Sequence, residues 1–396
     1  MKVLLITHNF PPDLGAASFR FESLVRELTK NNDEVDVLTS MPNRIHKFDL
    51  SKDELKINGF KINRFKSSKL GTSKFKVALN YFEFFLKSLK DGIKLAKKND
   101  VIIASSPQLL IGVVGALISL ITKKKFILEV RDLWPDIIVE MNVMKRWNPI
   151  YLFLKVLESF MYWKSDAIIY NSPAFYEYLK KKNPNKKLKL ITNGIDKEII
   201  DIFKEEKINK KVEKIKLIYA GNLGIAQNLN TLLDIAEKFT KELEIILVGK
   251  GSDEKKISER IEKEKLINVK LIKSMPRKEL YNLYKEADVL YLQLQNIEMF
   301  EKTIPSKIFE YIATKKRVIY GIKGVGKGIL KELNCEYYYE PENSKELEKV
   351  INKVILDIKN NIDVKNNVEL LEKKYSREEL SKKYRKFIEE VVNENK

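Results

Sequence analysis

Two stretches of the chain open on the same plan, one at the start of each half. MKVLLITHNFPPDLGAAS runs from a strand, through a loop holding Pro and Gly, into an amphipathic helix over about 18–30. IKLIYAGNLGIAQNLNTLLDIAEKF repeats that plan from Ile215. After each opening, short apolar runs alternate with segments of helical periodicity. In the first half the pattern predicts strands near 2–7, 34–38, 60–64, 101–104, 126–130, 167–170 and 188–191. In the second it predicts strands near 216–220, 244–248, 269–272, 289–292, 317–320 and 336–338. Strand alternating with helix implies parallel strands joined by right-handed crossovers. Two such runs predict an α/β protein of two Rossmann-like domains facing a cleft.

The first domain is expected over 1–200 and the second over 201–375. A strongly helical 376–396, with Leu380, Tyr384, Phe387 and Val391 in phase, is expected to cross back to the first. The junction is placed in 196–214, DKEIIDIFKEEKINKKVEK, which is charged and holds no strand. At 396 residues the chain is long for one core. The one Cys, Cys335, forms no internal disulfide and suits a reducing cytoplasm; two His and one Cys make a poor zinc set. Met1 leads straight into a strand, so no signal peptide is expected.

Charge is uneven. The chain carries a net +19, and residues 1–200 hold 34 Lys+Arg against 21 Asp+Glu. Two readings stand open: an anionic partner for the first half, or a lysine-rich solvated surface. The apolar run 109–122 is too short to span a bilayer and reads as a buried helix or a membrane-dipping one. KFKVALNYFEFFLKSLKDGIKLAKK, 74–98, mixes aromatic and basic residues at helical spacing. Its apolar face suits a core or an anionic membrane surface equally. No nucleic-acid-binding motif is present.

Ligands of doubly wound sheets sit beyond the carboxyl ends of strands. Four predicted strand ends carry suggestive residues. In the first loop, Gly15 and the small Ala16 allow close approach to a helix N-terminus, although a plain turn fits as well. Gly221-Asn222-Leu-Gly224 and Leu247-Val-Gly249-Lys-Gly251 place more glycines at such ends. RDLWPD, Arg131 to Asp136, sets two acids around a Trp-Pro after an apolar run. It reads as the floor of a site rather than a corner. Asp132 would bind sugar hydroxyls or a developing positive charge, Arg131 would hold it, Trp134 would stack on a sugar or lipid, and Asp136 would cap a helix.

TIPSKIFEYIA, Thr303 to Ala313, is the most informative stretch. Pro305 stops what precedes it and Ser306 suits an N-cap. Lys307 then stands in the first turn, where the helix macrodipole disfavours a cation unless an anion joins it. Glu310 follows one turn on. A carboxylate there suits ribose hydroxyls; the competing reading is an ordinary i,i+3 surface pair.

Together HNFPPDLGAASFR, VDVLTSMPN, RDLWPD, AGNLGIAQNLNTLL, LVGKGSD, MPRKELYNLYKEADVLY and IPSKIFEYIATKKRVIYG resemble the GT-B glycosyltransferases of the retaining family four, over nearly the whole chain. The combination is similar to the WbuB-like branch, commonly labelled fucosamine transferases of surface-polysaccharide assembly. The resemblance implies an acceptor-binding first domain and a second domain that binds a nucleotide sugar. It implies that Gly15, Ala16, Gly221 and Asn222 lie near the donor diphosphate, that Lys307 neutralises phosphate, and that Glu310 binds the ribose; Gly249, by its strand end, is expected on the same donor rim. Arg277 falls where the family contacts the nucleobase, and Asp132 where many members carry a His or Asp near the transferred sugar. The first Glu of the family's E-x7-E motif should be residue 302, which is Lys302; Glu301 is one position off. Asn222 and Gln227 stand where many members carry Arg and Lys.

Such a transfer breaks an anomeric C–O bond to a diphosphate. Amides and a lysine can stabilise the charge that grows on the leaving group. There is no Asp-x-Asp, so neither metal nor cofactor is expected. The implied donor is a nucleotide sugar, UDP-linked, and the acceptor a polyprenyl-diphosphate-linked or other saccharide. The expected place of work is the inner face of the cell membrane, on its anionic surface, as a cytoplasmic peripheral protein. Two rival readings are a nucleotide-sugar epimerase of GT-B shape and a non-catalytic basic membrane-binding protein.

Overall fold

The computed structural model describes residues 1–13, 15–42, 59–65, 74–106, 109–141, 143–204 and 213–394, without the side chains of 74–81. The chain forms two compact units. One comprises Met1–Gly194 with Arg377–Lys396, the other Ile195–Ser376.

The first unit holds seven strands: β1 (Lys2–Ile6), β2 (Glu34–Ser40), β3 (Phe60–Phe65), β4 (Val101–Ser105), β5 (Lys125–Val130), β6 (Ala167–Tyr170) and β7 (Lys187–Leu190). The second holds β8 (Ile215–Asn222), β9 (Leu243–Lys250), β10 (Val269–Lys273), β11 (Val289–Gln293), β12 (Arg317–Gly321) and β13 (Tyr337–Tyr338). The orders are β3-β2-β1-β4-β5-β6-β7 and β10-β9-β8-β11-β12-β13, and the pairings are parallel. Both are doubly wound. Their strand order reverses between β1 and β4 in one unit and between β8 and β11 in the other, where such sheets bind ligands. The α/β expectation holds, with each predicted strand present to within about a residue or two.

Composition explains the sheets. β4 (VIIAS) and β11 (VLYLQ) are buried along their whole length, because helices cover both faces of a parallel sheet. Helix Leu109–Thr122 is the buried one of its two readings over most of its length, with Val114, Ala116 and Ile118 in the core. Helix Lys74–Ala96 sends Phe84 into the same core, stacked 4.9 Å from the His8 ring, and leaves Phe82 and Leu86 exposed. Among the described residues no helix is long and apolar enough to cross a membrane.

Helix Arg377–Asn393 belongs to the first unit. Its Tyr384, Phe387 and Val391 share a core with Phe21 and Leu24 of helix Ala16–Lys30, and Arg385 Nε lies 2.8 Å from Asp33. The boundary between units falls after Gly194 rather than at 200. Helix Lys197–Lys204 explains this: Ile199, Ile200 and Phe203 are buried in the core of the second unit. Residues 205–212 of the expected junction lie outside the described residues.

Candidate active site

The second unit gathers most of the predicted donor residues. β8 and β9 run side by side to Asn222 and Lys250, pairing Gly221 with Gly249, and a Cβ on Gly249 would stand 1.8 Å from the Gly221 carbonyl oxygen. Gly249 also has φ +153°, so both backbone and space require glycine there. Lys307 lies over Gly221. A Cβ on Gly221 would come within 2.5 Å of Lys307 Cε and 3.3 Å of Nζ. The loop after Gly221 is fastened from behind. Tyr219 donates its hydroxyl to the Asn222 carbonyl at 2.6 Å, the Ala220 amide donates to Tyr311 at 3.2 Å, and Gln293 Nε2 donates to the carbonyl of Gln227 at 3.2 Å. Asn222 donates to Gln227 Oε1 at 3.0 Å, so these two close the loop on each other.

Helix Lys307–Ala313 begins after Ser306, but Ser306 does not cap it. Its own backbone is already helical (φ −60°, ψ −24°), and its side chain makes no cap bond. Glu310 is not paired with Lys307. Its carboxylate accepts instead from Arg277 Nη2 at 3.5 Å, and Arg277 Nη1 is 4.0 Å from Asp196. Burial holds the Lys307 pKa below its ordinary value; Glu310 acts the other way, and Arg277 lowers it further. A lysine so placed gains from an incoming anion. The ordinary i,i+3 surface pair is therefore not what forms.

Glu301 ends the short helix Glu298–Glu301. Its backbone packs on Gly324, whose φ of +60° and lack of side chain admit it: a Cβ there would be 2.0 Å from the Glu301 carbonyl oxygen. Its charge acts on Lys323, and among the described residues no contact joins it to Lys307 or Glu310. Lys302, in the place of the expected first Glu, pairs with Glu298 at 3.0 Å.

The first unit gathers a second group of residues at the ends of its own strands. Gly15 stands at the N-cap position of helix Ala16–Lys30, which starts two residues before the predicted Ser18. A cavity beside Ala16 is lined by Arg20, Thr192, Asn193, Arg377 and Tyr384. Arg20 Nε forms a fully buried 2.6 Å ion pair with Glu129, the penultimate residue of β5, and Arg20 also donates to the Ile191 carbonyl at 2.9 Å. Such a pair is costly to bury and then costly to break. Arg131 and Asp132 follow directly. Burial pushes the Asp132 pKa up to about 6, opposed by the charge of Arg131. Arg131 was expected to hold Asp132 in place. It forms no ion pair with it among the described residues and acts through its charge; burial lowers its own pKa, against the pull of Glu129. Trp134 is half-buried against the first unit's core.

Asp136 is not a helix cap. Pro135 holds the N-cap position, and the Asp136 carboxylate accepts from Tyr151 at 2.6 Å, Tyr178 at 2.8 Å and Lys155 at 3.1 Å. Those bonds and the Lys155 charge hold its pKa low despite burial. They tie the RDLWPD turn to helix Pro149–Lys164. Sequence reasoning missed Arg20, Glu129, Gln293 and Tyr311. Glu129 and Gln293 carry one signal, a polar residue inside a run otherwise apolar; Arg20 and Tyr311 carry none.

Gly221→Ala tests the contact with Lys307. The added methyl meets the flexible ends of Lys307 and Tyr219 rather than backbone. We expect the melting temperature to hold within about 2 °C, while KM for the donor rises roughly tenfold or more as the ammonium is displaced.

Two family models match. Glycosyltransferase Family 4 covers residues 18–199, and Glycosyl transferases group 1 covers residues 201–370. The chain is 24% identical over 245 residues to the probable glycosyltransferase WbjE of Pseudomonas aeruginosa, over 60% of this chain and 61% of that protein. The chain thus spans about three fifths of the length of that curated relative. Among solved structures, sucrose-phosphate synthase from Thermosynechococcus elongatus matches at TM-score 0.77, 15% identity and 98% of both chains. Anabaena HepE in complex with UDP and glucose matches at TM-score 0.72 and 15% identity, over 98% of this chain and all of that one. WaaG, a glycosyltransferase involved in lipopolysaccharide biosynthesis, matches at TM-score 0.67 and 12% identity, over 96% of this chain and 98% of that one. These structures share the fold. The chain thus has the GT-B fold of two parallel doubly wound sheets, and its halves match two adjoining glycosyltransferase family models, Glycosyltransferase Family 4 and then Glycosyl transferases group 1.

Proposed function

We propose that the protein is a retaining, metal-independent glycosyltransferase. It moves a sugar, of the N-acetylated amino or deoxyamino class, from a UDP-sugar to a lipid-linked or other saccharide acceptor in surface-polysaccharide assembly. The observation that carries this reading is Lys307 lying over the Gly221 backbone, one turn from a Glu310 that Arg277 holds. A diphosphate needs a cation and close backbone; a ribose needs a carboxylate able to accept from two hydroxyls. Both stand on one helix turn here. HepE, of the same fold, has been solved with UDP and with UDP-glucose, which supports uracil as the base. WbjE supports the broad class of glycosyl transfer and WaaG the polysaccharide setting. The fucosamine branch rests on motif likeness alone.

In this reading the growing negative charge on the departing diphosphate meets Lys307 and the amides beyond Gly221. Gly15, Ala16, Asn222 and Gly249 border the donor. Asp132 faces the sugar, with Arg131 and Trp134 on the acceptor side, and Glu301 takes the place of the missing acid only if its loop shifts. The leaving phosphate takes the acceptor proton. The setting is the cytoplasmic face of the membrane.

Thermal unfolding with UDP, GDP, ADP and dTDP, each with and without EDTA, tests the donor. A ligand of the folded state raises the midpoint by mass action. UDP alone is expected to do so, unchanged by EDTA and abolished in Glu310→Ala. A shift with another nucleotide would change the donor class; a shift that EDTA removes would end the metal-independent reading.

A further inference from the structure

We infer that the outer face of helix Pro149–Lys164, with Trp147 before it, docks the protein on an anionic lipid bilayer. The helix is PIYLFLKVLESFMYWK, apolar nearly all round. A helix of that composition is either wholly buried or meets lipid. This one is not wholly buried. Tyr151, Met161 and Tyr162 face the core of the first unit. The opposite stripe carries Phe153, Val156 and Trp163, spaced i, i+3 and i+10, exposed at 61%, 65% and 67%, with Ile150 at 59% and Trp147 at 73%. With Leu152 this amounts to on the order of 600 Å² of apolar side chain, the upper end of the largest patch on a typical monomer, and such patches often serve a contact.

Charge selects the partner. Between Met141 and Lys164 the one acid is Glu158, which is buried and pairs with Lys155 at 2.6 Å. The exposed stripe therefore has no carboxylate. Lys145 and Arg146 stand exposed at one end, and Lys164 marks the other. Lys145 Nζ lies 5.0 Å over the Trp147 ring. Tryptophans at both ends, cations beside them and aliphatic side chains between match the headgroup boundary of a bilayer. At 16 residues the helix is about 24 Å long, too short to span the ~30 Å hydrocarbon layer, and its inner face is occupied by protein. It lies in the plane of the surface. The stretch 74–98, whose sequence suits a core or an anionic surface equally, gives Phe84 to the core and is not needed for this contact.

The biological purpose of the contact rests on the reading that the acceptor is lipid-linked; the contact itself rests on the surface chemistry. The full chain is sedimented with phosphatidylcholine vesicles, pure or holding roughly one third phosphatidylglycerol. Wild type should partition at least about tenfold more strongly onto the anionic vesicles, and added salt should weaken this. Phe153→Ser/Val156→Ser/Trp163→Ser should lose at least about tenfold of that partition, since burial of these apolar side chains drives the contact. Lys145→Gln/Arg146→Gln should lose the preference for anionic lipid. UDP should shift the midpoints of these variants as it shifts wild type, so a failure of docking and a failure of the donor site read differently. Brominated lipid should quench wild-type tryptophan emission, and less so in Trp147→Phe/Trp163→Phe, which tests the contact without disturbing the stripe. Equal binding by wild type and the serine variant, no binding to either vesicle, or a stable dimer in solution that the serine variant abolishes would each overturn the proposal.

Discussion

Lys307→Ala is expected to lower kcat/KM for the UDP-sugar by roughly a hundredfold to a thousandfold. The size follows from where the charge develops. Breaking the anomeric bond leaves a diphosphate anion, and a preorganised cation in a water-poor site is worth a few kcal/mol of barrier. Lys307 lies against the Gly221 backbone, so it needs little rearrangement to act. The direction of its pKa adds a second readout. Burial holds it below the ordinary lysine value, so its charge is lost at a lower pH than in a free lysine. Wild-type activity should fall on the alkaline side, and Lys307→Arg should move that limb upward while retaining part of the activity. The alanine variant should not unfold earlier. A cation whose pKa burial has lowered costs the fold stability while charged, so removing it relieves that cost near neutrality. A variant that loses activity only through a lower melting temperature would contradict the assignment.

Asp132→Asn is expected to have opposite effects on activity and stability. Burial pushes Asp132 up to about 6 in the folded state, against roughly 3.9 for an unfolded aspartate. Between those values the folded protein keeps a proton that the unfolded chain releases. Stability therefore falls as pH rises through that window and stays lower above it. Asn carries no such cost. The difference in melting temperature, variant minus wild type, should be near zero at about pH 4 and reach about 3 °C by about pH 8, after discounting for the solvent contact of a half-buried group. Activity should fall roughly a hundredfold if the ionised carboxylate supports the sugar, and wild-type kcat/KM should decline below pH about 6. Full activity in Asp132→Asn would return RDLWPD to the status of a structural turn.

How legible was this in the sequence? The strands were, because a parallel sheet covered on both faces demands near-continuous apolar runs, and VIIAS and VLYLQ come close to that. Glycines at strand ends were legible for a related reason, since Gly249 faces a carbonyl and has no room for a side chain. Pairings over long sequence distance were not. Arg20 finds Glu129 109 residues away, and Glu310 finds Arg277 33 residues away. No local pattern encodes either. The same limit left a Lys307–Glu310 pair open as the competing reading, when each faces something else. Asp136 read as a cap because of its place before a helix; three side chains from two later helices claimed it. Helix Pro149–Lys164 carries no signal of its outer face in the sequence, since an all-round apolar helix says nothing about which side is left open.

The most direct test of the central claim is calorimetric titration of UDP and of uridine into wild type, Lys307→Met and Glu310→Gln. Uridine shares the base and ribose and lacks the diphosphate. The account predicts that wild type binds UDP far more tightly than uridine. It predicts that Lys307→Met removes most of that margin while leaving uridine binding in place, and that Glu310→Gln weakens both ligands alike. If Lys307→Met keeps the full margin, the diphosphate is not held at Gly221 and Lys307, and the donor site lies elsewhere.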